Sequence, residues 1–141
     1  MSKILIPVDG SPASLRALDF AIDMARRNPD TSLVLLNVQT ITASEAASAA
    51  MGGEAHHHKA SHASSRVVEP AAKKCEAGNI RFNTLVKSGL VAEAIAEVAQ
   101  SEGVNHIVMG TRGLGSIQGL LLGSVAMKVV HLAEVPITLI K

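Results

Sequence analysis

The chain has few of the residues that mark secreted, membrane or nucleic-acid-binding proteins. Its 141 residues include a single cysteine, so no internal disulfide can form. Two phenylalanines, Phe20 and Phe82, are present without tryptophan or tyrosine, and Ile, Val, Leu and Ala must therefore fill the core. The formal net charge is +1, with acids and bases scattered along the chain, which gives no electrostatic footprint for nucleic acid.

Long hydrophobic segments are also missing. No apolar run approaches the ~18 residues that a membrane-spanning helix needs. Residues 1–3 lead directly into a strand pattern, without the charged, apolar and cleavage regions of a secretory signal. We therefore expect a cytoplasmic protein, of one domain over residues 1–141, that binds neither membrane nor nucleic acid.

Five apolar segments typical of buried strands alternate with four segments of helical period. The strand segments are Lys3–Asp9, Ser32–Val38, Ile80–Lys87, Asn105–Met109 and Val135–Ile140. Ser11 and Pro12 form a capping hydroxyl and an N1 proline, which predicts that the first helix begins there. The alternation predicts an α/β fold with an open five-stranded parallel sheet and helices on both faces. With strand order 3-2-1-4-5, a ligand would lie beyond the carboxyl ends of strands 1 and 4.

A stretch at about residues 40–65 breaks this alternation. It is rich in Ala, Ser, Gly and His and has no clear strand period. We expect a mobile insertion between strand 2 and a helix that becomes periodic at Val67. Two interpretations of its histidines stay open: a metal pair on one helical face, His58 and His62, or a solvated segment that also holds His56 and His57.

A glycine-rich segment connects the fourth strand to the last helix. Residues 104–130 run from an apolar strand into Gly110 and end in a helical pattern of Leu121, Val125, Val129 and Leu132. A strand, a glycine loop and a helix in this order present backbone N–H groups and a helix N-terminus to a phosphate. Glycine allows close approach of the ligand and turns with φ > 0. The alternative is a mobile loop without a ligand.

Two familiar phosphate loops are excluded by the residues around this segment. Gly110 to Ser116 has the glycine spacing of a P-loop, but no lysine precedes the hydroxyl. The chain therefore lacks the lysine contact to the β/γ-phosphates that a Walker-type NTPase needs. The turn at residues 8–11 has no Gly-x-Gly, which excludes a dinucleotide fingerprint. What remains is Gly110 and Gly113 with two residues between them, and then Gly123-Ser124 after nine intervening residues.

That spacing, ending in a hydroxyl residue, resembles the ATP-binding motif of the universal stress protein family. The resemblance covers nearly the whole chain. It includes Ile-Pro-Val-Asp-Gly-Ser at residues 6–11, Leu-Leu-Asn-Val at residues 35–38 and Val-Pro-Ile-Thr-Leu-Ile at residues 135–140. The histidine-bearing insertion is not part of the family's motif.

The resemblance implies a Rossmann-like fold of the adenine nucleotide alpha hydrolase-like type, with ATP, ADP or AMP as the cofactor. It also implies dimers formed through the last strand, Val135–Ile140. The adenosine side would be lined by Pro7, Val8, Asp9 and Val38. Met109 and Gly110 would flank adenine and ribose, and the phosphates would lie against Gly113, Gly123, Ser124 and Val125.

Two charged residues at this crevice each have two interpretations. Asp9, at the end of strand 1, suits a ribose hydroxyl or a nucleotide-bound Mg²⁺, and it equally suits a cap on the amides of the following turn. Arg112 either reaches the phosphates or is solvated. Fast hydrolysis needs a positioned base and a charge-stabilising cation besides the metal, and the loop offers one cation and no carboxylate.

Three functions therefore stay open, and no catalytic residue is assigned. The first is an ATP-binding regulatory or stress-response factor with an unknown protein partner, in which nucleotide biases conformation or partner choice. The second is a slow ATP hydrolase or nucleotidyl-transferring enzyme that uses the same crevice. The third is a dimeric interaction module for which nucleotide is incidental.

Overall fold

The computed structural model describes residues 1–41, 55–114, 118–119 and 121–141, with side chains described outside residues 55–63. The strands are β1 (Ser2–Pro7), β2 (Thr31–Gln39), β3 (Phe82–Ser88), β4 (His106–Gly110) and β5 (Ile137–Ile140). The helices are α1 (Pro12–Arg27), α2 (Ala55–Ala77), α3 (Val91–Ser101) and α4 (Ser124–Leu132). None of the helices in the described residues is long and apolar enough to cross a membrane.

All five strands lie in one parallel sheet of order β3-β2-β1-β4-β5. Leu5 of β1 is in register with Val34 of β2 on one side and with Ile107 of β4 on the other. These three side chains are fully buried, as the continuous apolar runs predicted for central parallel strands. The predicted fold class and strand order are confirmed.

The helices cover both faces of the sheet and create two apolar layers. On one face α1 and α2 pack over Ile6, Leu35 and Val108, and Cys75 of α2 lies in this layer. On the other face α3 and α4 pack over Leu5, Leu36, Ile107 and Met109. Aliphatic side chains dominate both layers. Each strand contributes to both layers, because neighbouring residues of a strand point to opposite faces.

The start of α1 follows from two residues that the sequence already singled out. The Ser11 side chain accepts a hydrogen bond from the Ser14 backbone N–H at 3.2 Å, and Pro12 occupies the first helical position. Pro7 is the last residue of β1, where its missing N–H costs no bond in the middle of the sheet. The turn between Pro7 and Pro12 therefore has fixed ends, which positions Asp9.

Helix α2 begins twelve residues before the predicted position at Val67. Residues 55–65 are helical, so the second half of the predicted insertion belongs to α2. This part was missed because its Ala-, Ser- and His-rich sequence has no apolar period. The rest of that insertion, residues 42–54, lies outside the described residues, as do the side chains of His56, His57, His58 and His62.

Asn37 holds α2 against the ends of two strands. Its Nδ2 donates to the Val8 carbonyl oxygen at 2.7 Å, and its Oδ1 accepts from the Ser64 hydroxyl at 3.0 Å and from the Gln39 amide. Asn37 and Ser64 are almost completely buried. A buried amide needs such partners, because an unpaired polar group in the interior costs about 1–3 kcal/mol. This contact makes the residues around Ser64 part of the packed structure.

Two other sequence predictions need correction. The predicted apolar face of the last helix was Leu121, Val125, Val129 and Leu132, but only Val129 is buried, together with Ala126. Leu121 lies outside the helix, which begins at Ser124. The helical period of the predicted face therefore does not extend back to residue 121. The last strand is Ile137–Ile140 and not Val135–Ile140: Pro136 accepts from the Ile107 N–H at 2.9 Å but has no N–H of its own, and the strand begins after it.

Cys75 is predicted to be unreactive in the folded protein. Burial, with a smaller contribution from the Glu76 charge, raises the pKa of its thiol from 9.0 to about 11. At pH 8 the reactive thiolate therefore falls from about 10% to about 0.1% of the molecules, and burial adds steric protection. We expect a thiol reagent to label native protein at least about 100-fold more slowly than urea-unfolded protein.

The same shift has a consequence at high pH. Between pH 9.0 and about 11 the unfolded chain releases the Cys75 proton and the folded chain keeps it. The contribution of this group to the free energy of unfolding is therefore constant below pH 9 and falls as the pH rises through that window.

The labelling experiment can contradict the buried position of Cys75. Equal labelling rates for native and unfolded protein at pH 8 would do so.

Candidate functional site

A cavity of about 670 Å³ opens beyond the carboxyl ends of β1 and β4, where the strand order reverses. Its walls come from β1, β2, β4, the N-terminal ends of α1, α3 and α4, and one residue of α2. The cavity brings together every site residue predicted from the sequence: Pro7, Val8, Asp9, Val38, Met109, Gly110, Arg112, Gly113, Gly123, Ser124 and Val125.

Gly110 lets β4 lie directly against the start of α1. A Cβ atom at this position would lie 2.9 Å from the Ala13 Cβ, 3.1 Å from the Ala13 carbonyl carbon and 3.2 Å from the Ser14 nitrogen. Such distances are shorter than van der Waals contact, and two of them involve backbone atoms. The glycine is therefore needed for the packing of β4 on α1, and this packing forms the floor of the cavity.

The Asp9 carboxylate connects the first turn to the glycine loop. Its Oδ1 accepts from the Ser11 backbone N–H at 2.8 Å, as the turn-cap interpretation predicted. Its Oδ2 accepts from the Leu114 backbone N–H at 3.3 Å, 105 residues further along the chain. A cap on a local turn needs only the first of these bonds. The second brings the carboxylate to the loop at the predicted phosphate side.

The absence of a side chain on Gly113 lets this carboxylate lie directly against the backbone. A Cβ atom on Gly113 would lie 2.6 Å from the Asp9 Oδ2 atom. The φ angles of Gly113 and Gly123 are not positive; in the described residues, positive glycine φ angles occur at Gly10, Gly89, Gly103 and Gly119. Of the φ > 0 turns expected in this segment, the described residues show one, at Gly119, while Gly113 and Gly123 are in close approach to Asp9 and to the Thr111 backbone.

Helix α4 points its N-terminus into the cavity without a side-chain cap. Gly123 is the N-cap residue with φ −75°, and its own N–H donates to the Thr111 carbonyl oxygen at 2.7 Å. The next three N–H groups, of Ser124, Val125 and Ala126, belong to the first turn, where no acceptor within the helix is available. All three residues line the cavity. An uncapped helix N-terminus with free N–H groups favours an anion.

Charged side chains are few around the cavity. Among the described residues that line it, Asp9 is the only acid and Arg112, which is half-buried, is the only base. Helix α4 is fixed on its outer side by an ion pair between Lys128 and Glu93 of α3. The hydrogen bond from Lys128 lowers the pKa of the exposed Glu93 carboxyl. Because Arg112 is the only base among the described lining residues, most of the attraction for an anion must come from backbone N–H groups.

Several lining residues were not predicted from the sequence. Asn37 gave a signal, as a polar residue in an otherwise apolar strand, but its position in the wall depends on the pairing of β1 with β2. Val67 reaches the cavity from α2 and lies beside Gly10. No local pattern shows this, because the position of α2 depends on tertiary packing. Thr111 lies within the glycine loop and was overlooked beside its motif neighbours.

Comparison with known proteins agrees with this architecture. The family model described as universal stress protein family matches residues 1–141. Universal stress protein YxiE of Bacillus subtilis is 25% identical over 146 residues, which cover 99% of each chain. Universal stress protein MJ0531 of Methanocaldococcus jannaschii is 30% identical over 139 residues, which cover 99% of this chain and 81% of the relative.

Solved structures show the same fold. The structure of the hypothetical protein MJ0577, from Methanocaldococcus jannaschii, superposes with a TM-score of 0.87 at 26% identity and covers 99% of this chain and 95% of its own. A universal stress protein in complex with cAMP gives a TM-score of 0.74 at 20% identity, with coverage of 99% and 97%.

An AMP-bound family member from Arabidopsis thaliana gives a TM-score of 0.70 at 20% identity and covers 100% of this chain and 92% of its own. At this identity the two nucleotide-bound structures establish the likeness of fold. The family model, in contrast, matches the amino-acid sequence itself, and the match extends from residue 1 to residue 141. The chain therefore belongs to the universal stress protein family.

Proposed function

We propose that the protein is a nucleotide-dependent regulatory or stress-response factor of the cytoplasm that binds ATP, or ADP or AMP, in the cavity between β1 and β4. The single observation that carries this proposal is the uncapped N-terminus of α4, whose free N–H groups line a cavity of about 670 Å³. Such a helix end binds phosphate. The apolar opposite wall suits a nucleobase.

The lining residues divide into two ends that match the two parts of a nucleotide. Apolar contacts come from Pro7, Val8 and Val38 at the ends of β1 and β2, and from Val67 in the middle of α2; adenosine would lie there. Gly113 and Gly123, with the first turn of α4, would contact the phosphates. Two family members whose structures contain AMP and cAMP support an adenine nucleotide as the ligand.

Mass analysis of the ligand tests the proposal directly. Acid treatment of freshly purified protein should release an adenine nucleotide, which its mass identifies. Nucleotide-stripped protein should bind ATP or AMP in a calorimetric titration. At ligand near 100 times its dissociation constant, bound protein should gain about 2.7 kcal/mol in the free energy of unfolding. Stripped, folded protein that binds neither nucleotide would overturn the proposal.

The residues present fit a role for Mg²⁺ carried by the nucleotide. The Asp9 Oδ2 atom has only the Leu114 N–H, at 3.3 Å, as a partner in the described residues, so it keeps lone pairs for a cation. Carboxylate oxygens suit Mg²⁺, which is bound through few protein ligands together with substrate phosphates. In this arrangement Asp9 would hold the metal, and the metal would offset the repulsion between the carboxylate and the phosphates.

Asp9→Asn tests the metal role of Asp9. The amide oxygen can keep the hydrogen bond from Ser11, while the charge that would attract Mg²⁺ is lost. We expect ATP affinity to fall about tenfold or more in Mg²⁺ and to change little, or to rise, in EDTA. Titration of wild type and variant with ATP under both conditions measures this. The same decrease in both conditions would show that Asp9 acts on the loop and not on a metal.

A slow ATP hydrolase or nucleotidyl-transferring enzyme is the second candidate for the same cavity. Arg112 is the specific observation in its favour, as a half-buried cation that lines the predicted phosphate side. Besides Asp9, no described lining residue offers a carboxylate base. Steady-state turnover of ATP separates this candidate from a regulatory role, and Arg112→Gln should lower the turnover if it exists.

We further propose that the protein forms a homodimer through β5. This strand is at the edge of the sheet, so part of its backbone N–H and C=O groups have no partner strand. Exposed apolar side chains of the neighbouring α4, Met127 and Val130, add apolar surface beside it. An antiparallel second copy would satisfy the edge with two-fold symmetry. Light scattering should give twice the chain mass at micromolar concentration, and a monomer would contradict the proposal.

Partner capture separates regulation from an incidental nucleotide. If nucleotide biases conformation or partner choice, the amount of captured partner should differ between nucleotide-loaded and stripped protein. An interaction module with an incidental ligand would capture equal amounts.

A further inference from the structure

The Thr111 side chain is a buried polar group that the site described so far does not use. Thr111 is only 8% exposed and lines the cavity. Its backbone is fully engaged: the N–H donates to the Ile140 carbonyl oxygen at 2.8 Å, and the C=O accepts from the Gly123 N–H at 2.7 Å. Its hydroxyl, in contrast, has no hydrogen-bond partner in the part of the chain that the structure describes. No fully buried side-chain oxygen or nitrogen of the described residues lacks a partner, so this hydroxyl oxygen is not sealed in the core but open to the cavity that Thr111 lines.

The other well-buried hydroxyls that line the cavity do have partners. Ser11 Oγ accepts from the Ser14 N–H, and Ser14 Oγ donates to the Ser11 carbonyl oxygen at 2.9 Å. They cap α1 and are occupied by that role. Thr111 has no comparable structural bond, so its hydroxyl remains available to a ligand.

The direction of Thr111 follows from the strand that precedes it. A side chain on Gly110 would contact Ala13 of α1, so position 110 faces the α1 side of the sheet. Side chains alternate along a strand, which places Thr111 with Met109 on the side of α3 and α4. The bond from Gly123 to the Thr111 carbonyl fixes the residue directly beside the start of α4. The residue therefore lies beside the first turn of α4, whose residues Ser124, Val125 and Ala126 line the same cavity.

We propose that Thr111 is a further ligand-binding residue, whose hydroxyl binds the phosphate group nearest the sugar, together with the first turn of α4. The inference rests on the proposed nucleotide function and adds a specific contact to it. Thr111 follows Gly110 on the ribose side and contacts Gly123 on the phosphate side. This intermediate position selects the first phosphate and not the terminal one.

Thr111→Val is the decisive variant, since valine keeps the shape of threonine and removes the hydroxyl. We expect the affinity for AMP and for ATP to fall about tenfold, and the affinity for adenosine to stay unchanged. Thr111→Ser should restore most of the affinity. The matched control is Thr84→Val on the exposed face of the edge strand β3, which should bind like wild type.

The melting temperature without ligand separates a binding role from a structural one. Because the hydroxyl has no partner among the residues that the structure describes, Thr111→Val should melt at the same temperature as wild type or higher. A decrease in both melting temperature and affinity would overturn the proposal in favour of a structural role.

Calorimetry with the three ligands separates the remaining outcomes. Unchanged AMP and ATP affinity in folded Thr111→Val would overturn this inference and leave the nucleotide function intact. An equal decrease for adenosine would overturn the assignment to the phosphate. Wild-type protein that binds none of the three ligands would remove the inference together with the proposed function.

Discussion

Gly123→Val should remove nucleotide binding from a protein that remains folded. A Cβ atom at this position would lie 3.3 Å from the Thr111 carbonyl oxygen and 3.5 Å from the Arg112 Cα, and the valine methyl groups would extend from there into the cavity wall. They would cover the first turn of α4, where the N–H groups must be open to a phosphate. Because φ at Gly123 is −75°, valine adds no cost for a left-handed backbone.

The expected magnitude is the whole ligand-dependent stabilisation. Wild type should gain about 2.7 kcal/mol at ligand near 100 times its dissociation constant, and Gly123→Val should gain almost none. Chemical unfolding with and without AMP measures both values. Gly103→Ala is the control, because Gly103 has φ +61° with open space around it and lies outside the cavity. It should lose about 1 kcal/mol of stability and keep its affinity.

A folded Gly123→Val protein with wild-type affinity would show that the nucleotide does not bind against the glycine segment. The proposed binding site at the first turn of α4 would then be wrong. A variant that fails to fold gives no such conclusion, and for that case Gly123→Ala provides a smaller obstruction. Its affinity should lie between those of wild type and the valine variant.

Gly110→Val should have the largest effect on stability among substitutions at the site. Its first added carbon would lie 2.9 Å from the Ala13 Cβ and within 3.2 Å of two backbone atoms of α1. Relief requires α1 to move away from β4, and overpacking of this kind costs about 1–3 kcal/mol or more. With two backbone contacts we expect about 3 kcal/mol, which lowers the melting temperature by roughly 10 °C in a chain of this size.

The graded series for this prediction uses alanine. Gly110→Ala should already destabilise the protein measurably, because the collision begins at Cβ. Gly78→Ala is the matched control: its Cβ would meet the end of the Arg26 side chain at 3.3 Å, which can move, and Ile80 at the same distance. We expect its free energy of unfolding to change by less than about 1 kcal/mol. Equal melting temperatures for Gly110→Val and wild type would contradict the close packing of β4 on α1.

Much of this architecture could be predicted because local patterns specify it. Continuous apolar runs identified β1, β2 and β4 as buried parallel strands, and Ser11 with Pro12 identified the start of α1. The position of the cavity followed from strand order and from two strand ends, Asp9 and Gly110. These features depend on residues that are close together in the sequence.

The features that could not be predicted depend on contacts between distant residues. The polar first half of α2 has no apolar period, and its packing through Ser64 on Asn37 depends on tertiary structure. The close contact of Gly113 with Asp9 joins residues 104 positions apart, so the sequence predicted the approach of a phosphate to this glycine but not that of the carboxylate. The predicted buried face of α4 was wrong because the helix begins at Ser124, and this start determines which of its residues face the sheet.

The two core layers contain aliphatic side chains in place of tryptophan and tyrosine, and this has an optical consequence. Phenylalanine absorbs near-ultraviolet light weakly, and Phe20 and Phe82 are the only chromophores of that kind in the chain. Adenine absorbs strongly in the same spectral region. A nucleotide that stays bound through purification should therefore dominate the ultraviolet spectrum of the protein, and its loss on stripping can be followed in the cuvette without a label.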